Sequence, residues 1–417
     1  MADKMHLWPE ETLDANGSTI AAVTIESPLG ERTRLWYSVP VQHGSALTKA
    51  CDPFVVATLF RAMRETTDLM VHGEASPSLL QNLEEFQAAW VSWRSDRYTR
   101  IEVVADVERE QPKAGDSHAA ITAFSGGVDS SFTVFRHRTG HCGRLKRTLP
   151  AGVMALWCRD PQDRNEALDR AAEKSAKMLA SLDMELIRLG TNFRELGDSW
   201  EDAHGAAVAA CLMLFQGRYA AGLIASTEPY CSLVLPFGSN PVTDRLMSSD
   251  AFRIIHDGAA FTRSEKVREI ASWPEALKYL RVCWEGKEAD RNCGRCEKCV
   301  RTILNFRVMG LGLPECFEQD VSDSEILSLR GLSPVQSAYL EEVLSAARAE
   351  SISESWVTAL EQCLERNRPR QSMKCLLRSG LRQGVKRIPG AHKLWHVMKR
   401  SGCAGGRDAA GLPVEEE

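Results

Sequence analysis

The sequence predicts an α/β protein with a doubly wound parallel sheet, an extra N-terminal α+β domain and a helical C-terminus. Three observations predict it. From residue 118 onward, short apolar runs alternate with amphipathic helical stretches, the pattern of a parallel sheet covered on both faces. The first of these runs ends in a Gly-Gly turn that opens a helix. The 417 residues exceed one ordinary core, so two or three domains are expected.

Taken in order, residues 1–112 mix both element types. Arg34–Pro40 and Arg100–Asp106 read as strands, and Asp52–Arg64 and Leu79–Trp93 as helices with apolar residues at helical spacing. Glu110–Ser117 is a polar Pro/Gly segment, and a domain boundary is expected there. The alternating domain, 118–315, then offers strands at Ala119–Phe124, Gly152–Cys158, Glu185–Leu189, Ala221–Ala225 and Phe252–Ile255. Helices are expected from Ser130, over Glu166–Leu182 and Ala203–Phe215, and over Arg263–Ser272. Ligands of such sheets bind at the carboxyl ends of the strands. Residues 316–417 read as helical, with a basic stretch at 366–400 that contains no acid, and a disordered tail from Ser401. The basic stretch suits a solvated helical face, an RNA or anionic protein partner, or an anionic membrane surface.

Composition narrows the class. Hydrophobic residues make up 44% and charged residues 26%, the mix of a soluble globular chain. A net charge of -5 excludes polyanion binding by bulk charge, though not by a local basic face. Asp3, Lys4, Glu10 and Glu11 occupy the N-terminus without an apolar run, so no secretory signal is expected. The longest candidate membrane run, Ala206–Ala225, is interrupted by Gln216, Gly217 and Arg218, so no transmembrane segment is expected. A cytoplasmic location follows as an expectation. No internal repeat is visible, against a solenoid.

Two motifs carry chemistry. Ser125-Gly126-Gly127-Val128-Asp129-Ser130 lies between a predicted strand and a predicted helix. Two glycines let backbone N–H groups close on an anion, and the helix N-terminus adds partial positive charge. Ser125, Ser130 and Ser131 add hydroxyls, and Asp129 suits Mg2+ or a helix cap. The simpler alternative is an ordinary capped turn. The second motif is thiol-rich: Cys283, Cys293, Cys296 and Cys299 fall within 17 residues, with Gly294 at the knuckle. Four thiolates suit structural Zn2+; an iron–sulfur cluster is the competing reading. Further candidates follow strand ends: Arg159 and Asp160, His204, and Asp257 of a His-Asp-Gly turn.

The hexapeptide resembles the signature of the PP-loop, or N-type ATP pyrophosphatase, superfamily; no Gly-Lys-Ser/Thr of a Walker A is present. Phe261–Ala271 is similar to the superfamily's later helix start, with Arg263 where Lys is typical. The resemblance implies ATP and Mg2+, adenylation of an oxygen, release of pyrophosphate and displacement of AMP by a nucleophile. It implies Ser125, Asp129, Ser130 and Arg263 as catalytic residues. Ser125, Gly126, Gly127, Val128, Asp129, Ser130, Ser131, Arg159 and Asp257 would hold the nucleotide. Joined to Cys-aromatic-x-Gly and Cys-Gly-x-Cys-x2-Cys, the loop resembles the 7-cyano-7-deazaguanine synthase family over roughly residues 118–305. That family activates a carboxylate with ATP, lets ammonia attack, and binds zinc through four cysteines. Gly238, Ser239, Asn240 and Asp244, with His204, stand where its substrate region would be, but no Tyr-Pro-Asp-Cys-Arg motif follows. The expected activity is a synthase-like adenylating ligase that forms a C–N bond on a small or macromolecular carboxylate. A protein partner would use the N-terminal domain or the basic C-terminus. The alternatives are a thiolation-type enzyme acting on tRNA and a non-catalytic nucleotide-binding component of a multiprotein antiviral or glycan-related system.

Overall fold

The computed structural model describes residues 4–160, 165–283 and 290–368. Most of the basic stretch, the C-terminal tail, and Trp284 and Gly286 of the cysteine motif lie outside them. The chain divides into a unit of residues 1–365 and a second of 366–417.

The first unit is a mixed α/β structure on one 11-stranded, mostly parallel sheet. Its strands are β1 (Met5–Pro9), β2 (Leu13–Ala15), β3 (Ser18–Glu26), β4 (Arg32–Pro40), β5 (Leu69–Ala75), β6 (Val103–Glu108), β7 (Ala119–Ala123), β8 (Thr148–Trp157), β9 (Glu185–Thr191), β10 (Ala221–Ala225) and β11 (Arg253–Asp257). The helices are α1 (Asp52–Glu65), α2 (Pro77–Trp93), α3 (Val128–Thr139), α4 (Glu166–Ala180), α5 (Trp200–Met213), α6 (Arg263–Ile270), α7 (Pro274–Tyr279), α8 (Glu297–Val308), α9 (Asp323–Ser328), α10 (Pro334–Ala349) and α11 (Ser355–Asn367). No described helix is long and apolar enough to cross a membrane.

Strand order is β11-β10-β7-β8-β9-β4-β3-β1-β5-β6, with β2 on β3. The five strands from β11 to β9 are all parallel. Within that block β7 comes first in the chain, and the winding reverses between β7 and β10. This is the switch point at which such sheets open a crevice. Alternation along β7 serves two cores. Ile121 packs in one with Phe54 and Phe60 of α1 and Leu212 of α5. Ala120 packs in the other with Phe132 of α3 and Leu304 of α8.

The expected boundary near residue 112 does not divide the strands into separate sheets. β4 pairs antiparallel with β9 through Tyr37↔Thr191 and Ser38↔Gly190, so the N-terminal strands extend the same sheet. Asn192 stitches the seam. Its Oδ1 accepts from Trp36 N at 3.0 Å, and its Nδ2 donates to Arg34 O at 2.7 Å and Glu195 Oε2 at 2.9 Å. Residues 110–117 connect the N-terminal strands to β7 within one compact unit. Asn192 is buried, so Asn192→Ala leaves the Trp36 N–H without its acceptor. Urea unfolding should report a loss of about 1–3 kcal/mol; a loss below about 0.3 kcal/mol would show the seam to be held by packing alone.

Candidate functional site

A cavity of about 420 Å³ opens at the carboxyl ends of β7, β8 and β10, on the switch point. That volume suits a small-molecule ligand. One end is cationic and the other apolar.

The Gly-Gly loop forms the cationic floor. Gly126 has φ +73°, left-handed backbone that glycine adopts without cost. Ser130 Oγ accepts from Ser125 N at 3.3 Å and donates to Gly127 O at 3.2 Å, closing the loop on itself. Gly127 is the N-cap of α3 and offers no side-chain cap, so the first N–H groups of α3 remain for an anion. Gly127, Val128, Asp129 and Ser130 line the cavity, as does Ser125. Gly126 backs the loop: its carbonyl accepts from Arg281 N at 2.8 Å. Ser131 is fully buried away from the cavity.

Asp129 does not cap the helix. Its carboxylate binds Arg263 Nη1 and, at 3.2 Å, Lys266 Nζ; Lys266 also donates to Ser226 O at 2.5 Å. Burial pushes the Asp129 carboxyl up, but Arg263 and Lys266 more than reverse this and hold it at about 2. Both cations come from α6, whose start is a capping box: Thr262 Oγ1 accepts from Glu265 N, and Glu265 Oε2 accepts from Thr262 N. The spacing i, i+3 puts Arg263 and Lys266 on one side of that helix.

The four cysteines meet beside this floor. Their sulfurs lie within 4.8 Å of one another, with Cys283–Cys296 and Cys293–Cys299 at 3.9 Å. A tetrahedral zinc site with bonds of about 2.3 Å has S···S edges of about 3.8 Å. The group could therefore hold a metal such as zinc, and the spacing favours one ion over a cluster, which would separate the thiolates further. Asn292 ties the knuckle to the chain on both sides: Oδ1 accepts from Val282 N at 2.9 Å and Cys283 N at 3.2 Å, and Nδ2 donates to Leu280 O at 2.8 Å and Cys316 O at 3.0 Å.

The knuckle also places cations. Arg281, two residues before Cys283, donates from Nη2 to Ser125 O at 3.1 Å. Lys298 and Arg301 follow Cys296 on α8, and all three line the cavity with Arg263. Among the described lining residues, these four cations stand with one carboxylate, Asp129. Burial, then Arg301 and Arg263, lower the Lys298 pKa. Glu297 offsets part of the charge, pairing with Arg301 at 2.7 Å.

The apolar end is built by Met154 and Trp157 of β8, Ile224 of β10, and one face of α5: Trp200, His204, Val208 and Leu212. Trp157 meets Trp200 edge-on at 5.0 Å. His204 Nδ1 lies 3.0 Å from Trp200 O, and burial pushes the imidazole pKa below its ordinary value.

Among the expected substrate residues, His204 and Ser239 line the cavity; Gly238, Asn240 and Asp244 do not. These three build the loop that presents Ser239. Gly238 O lies so close to α5 that a Cβ at Gly205 would approach it to 2.0 Å. Asn240 spends both side-chain atoms on turn bonds to Phe237, Val242 and Thr243. Asp244 accepts from Ser239 Oγ at 2.8 Å, from Asn240 N at 3.1 Å and from His256 Nδ1 at 2.8 Å. Asp257, expected near ribose or Mg2+, is buried among Thr133 Oγ1 at 2.8 Å, Arg136 Nη2 at 3.1 Å and His137 Nε2 at 3.3 Å, outside the lining. Arg159 and Asp160 are exposed beyond β8, also outside it. Lys266, Arg281, Lys298 and Arg301 were not expected. Their signals are positional: Lys266 lies one turn past Arg263, Arg281 and Arg301 flank the cysteine motif, and Lys298 lies inside it.

Comparisons with family models, with curated proteins and with solved structures find no match to the chain.

Two tests follow from this geometry. The Asp129 pKa is depressed, so its pairing stabilises the fold above about pH 4, the unfolded value, and fades as pH falls towards 2. Asp129→Asn should therefore cost roughly 2 kcal/mol at pH 7, and the deficit should shrink on acidification in denaturant titrations. An equal deficit at pH 7 and pH 3 would contradict the pairing. Elemental analysis should find about one zinc per chain, and Cys296→Ser should lower the melting temperature. A metal-free protein melting like the metal-bound one would remove the knuckle's role.

Proposed function

We propose that this protein is an ATP-dependent adenylating ligase of PP-loop type, similar to 7-cyano-7-deazaguanine synthase. One observation carries the proposal. A Gly-Gly loop and the uncapped start of α3 face Arg263, Arg281, Lys298 and Arg301 in a cavity with an apolar far end. Polyphosphate fits the first half and a flat base the second. Mg2+, carried on the nucleotide, would neutralise phosphate charge, and Asp129, the carboxylate among the described lining residues, would exchange a contact with Arg263 or Lys266 to hold it.

The chemistry is a substitution at the α-phosphorus. A carboxylate oxygen of the acceptor forms the new P–O bond, and the bond to the β-phosphate oxygen breaks. Pyrophosphate leaves with its negative charge stabilised by the loop N–H groups and the surrounding cations. Ammonia or an amine then attacks the acyl carbon, AMP departs, and a C–N bond remains. His204 and Ser239, which line the cavity, are the residues proposed to meet the acceptor. A cytoplasmic setting belongs to the same proposal, because ATP and reduced thiolates coexist there.

A thiolation-type enzyme would need a reactive thiol in the cavity. Cys211 is the cysteine among the described lining residues, and burial pushes its thiol up to about 12, so it stays protonated and poorly nucleophilic.

Purified protein given Mg-ATP and cell extract should release AMP and pyrophosphate. Release of ADP and phosphate alone would overturn adenylation. Arg281→Ala and Lys298→Ala should each weaken Mg-ATP binding about tenfold by calorimetry, near 1.4 kcal/mol.

A further inference from the structure

Helix α10 lies beyond the segment that carries the PP-loop resemblance, yet one of its faces reaches two cavity cations. The ring of Tyr339 lies 4.2 Å from the guanidinium carbon of Arg301. One turn later, Glu342 Oε1 accepts from Arg263 N at 2.8 Å, at the first residue of α6. Tyr339 is buried, and its hydroxyl donates to Glu228 Oε1 at 3.3 Å. The other Glu228 oxygen accepts from Val234 N at 2.9 Å. The Glu228 carbonyl accepts from Ser226 Oγ at 2.6 Å, and the Ser226 carbonyl holds Lys266 at 2.5 Å. A chain of contacts thus runs from Asp129 through Lys266, Ser226, Glu228 and Tyr339 to Arg301.

A guanidinium is a plane with two faces and an edge. Glu297 Oε1 lies 2.7 Å from Arg301 Nε as an ion pair, without the alignment of a hydrogen bond. An aromatic ring against a face fixes the plane without consuming an N–H donor. Tyr339 therefore sets which way Arg301 presents its remaining donors, and Glu342 sets where α6 begins and so where Arg263 and Lys266 project.

We propose that Tyr339 and Glu342 are positioning residues for the cavity's anion end, which brings α10 into the phosphate-binding machinery. This rests on the nucleotide reading of the cavity. The experiment is calorimetric titration of the full chain with Mg-ATP and with inorganic pyrophosphate, beside the melting temperature of each unliganded variant. Tyr339→Leu should weaken both ligands about tenfold, and Tyr339→Phe, which keeps the ring, should restore binding to within about threefold of wild type. Glu342→Ala should weaken both ligands, and Glu342→Gln, which keeps an acceptor for Arg263 N, should not. Should Tyr339→Leu fail to fold, the Glu342 pair decides. Wild-type affinity in Tyr339→Leu and Glu342→Ala overturns the proposal and leaves the nucleotide reading standing. Equal losses in Tyr339→Phe and Tyr339→Leu overturn the role of the ring. A wild-type protein that binds neither ligand overturns both proposals.

Discussion

Like charges held in one cavity repel, and the arrangement around the Gly-Gly loop is organised against that repulsion. Arg263, Arg281, Lys298 and Arg301 line one end of a cavity that also receives the positive end of α3. Burial and the neighbouring guanidinium groups push the Lys298 pKa down. Two acids relieve some of the repulsion, Asp129 against Arg263 and Lys266, and Glu297 against Arg301. Among the described lining residues, Asp129 is the carboxylate that stands with Arg263, Arg281, Lys298 and Arg301.

Such charges cannot be held by side-chain contacts alone, because each cation would move away from the others if its backbone were mobile. The knuckle answers this mechanically. Its first thiol, Cys283, follows Arg281 by two residues; its last two, Cys296 and Cys299, bracket the start of α8, where Lys298 sits. A metal joining the four sulfurs would tie both segments at a single point. Arg281 is fastened independently to the Gly-Gly loop through its own N–H and Nη2. A metal held by all four thiolates would leave no open position on itself, yet would fix the cations of the cavity beside it.

The features of this architecture that depend on short-range pattern were legible in the sequence. The loop hexapeptide, the cysteine spacing, and β10 at Ala221–Ala225 are local features, and each occupies the expected place in the chain. What escaped is non-local. Asp257 sits at the carboxyl end of β11, but three groups of α3 capture it from a face that the linear chain does not reveal. Asn240 and Asp244 have the composition of a recognition motif and the geometry of a turn. Lys298 and Arg301 were visible only as charges beside cysteines. Their direction depends on α8 beginning at Glu297, directly after Cys296 at the N-cap.

The N-terminal strands raise the same question of locality at the scale of the whole sheet. As an appended domain they would be removable. Pairing of β4 with β9 makes them the continuation of the sheet edge, and the back of α5 packs with α1 in a shared core. The front of that same helix carries Trp200, His204, Val208 and Leu212 into the cavity. Removing residues 1–112 would therefore strip a wall helix of its support and expose the unpaired edge of β9, a surface prone to association. Loss of activity in such a truncation would report damage to the cavity wall as readily as loss of a recognition element. Point changes on the exposed side of the N-terminal sheet, leaving Asn192 and the α1–α5 contact intact, separate the two causes.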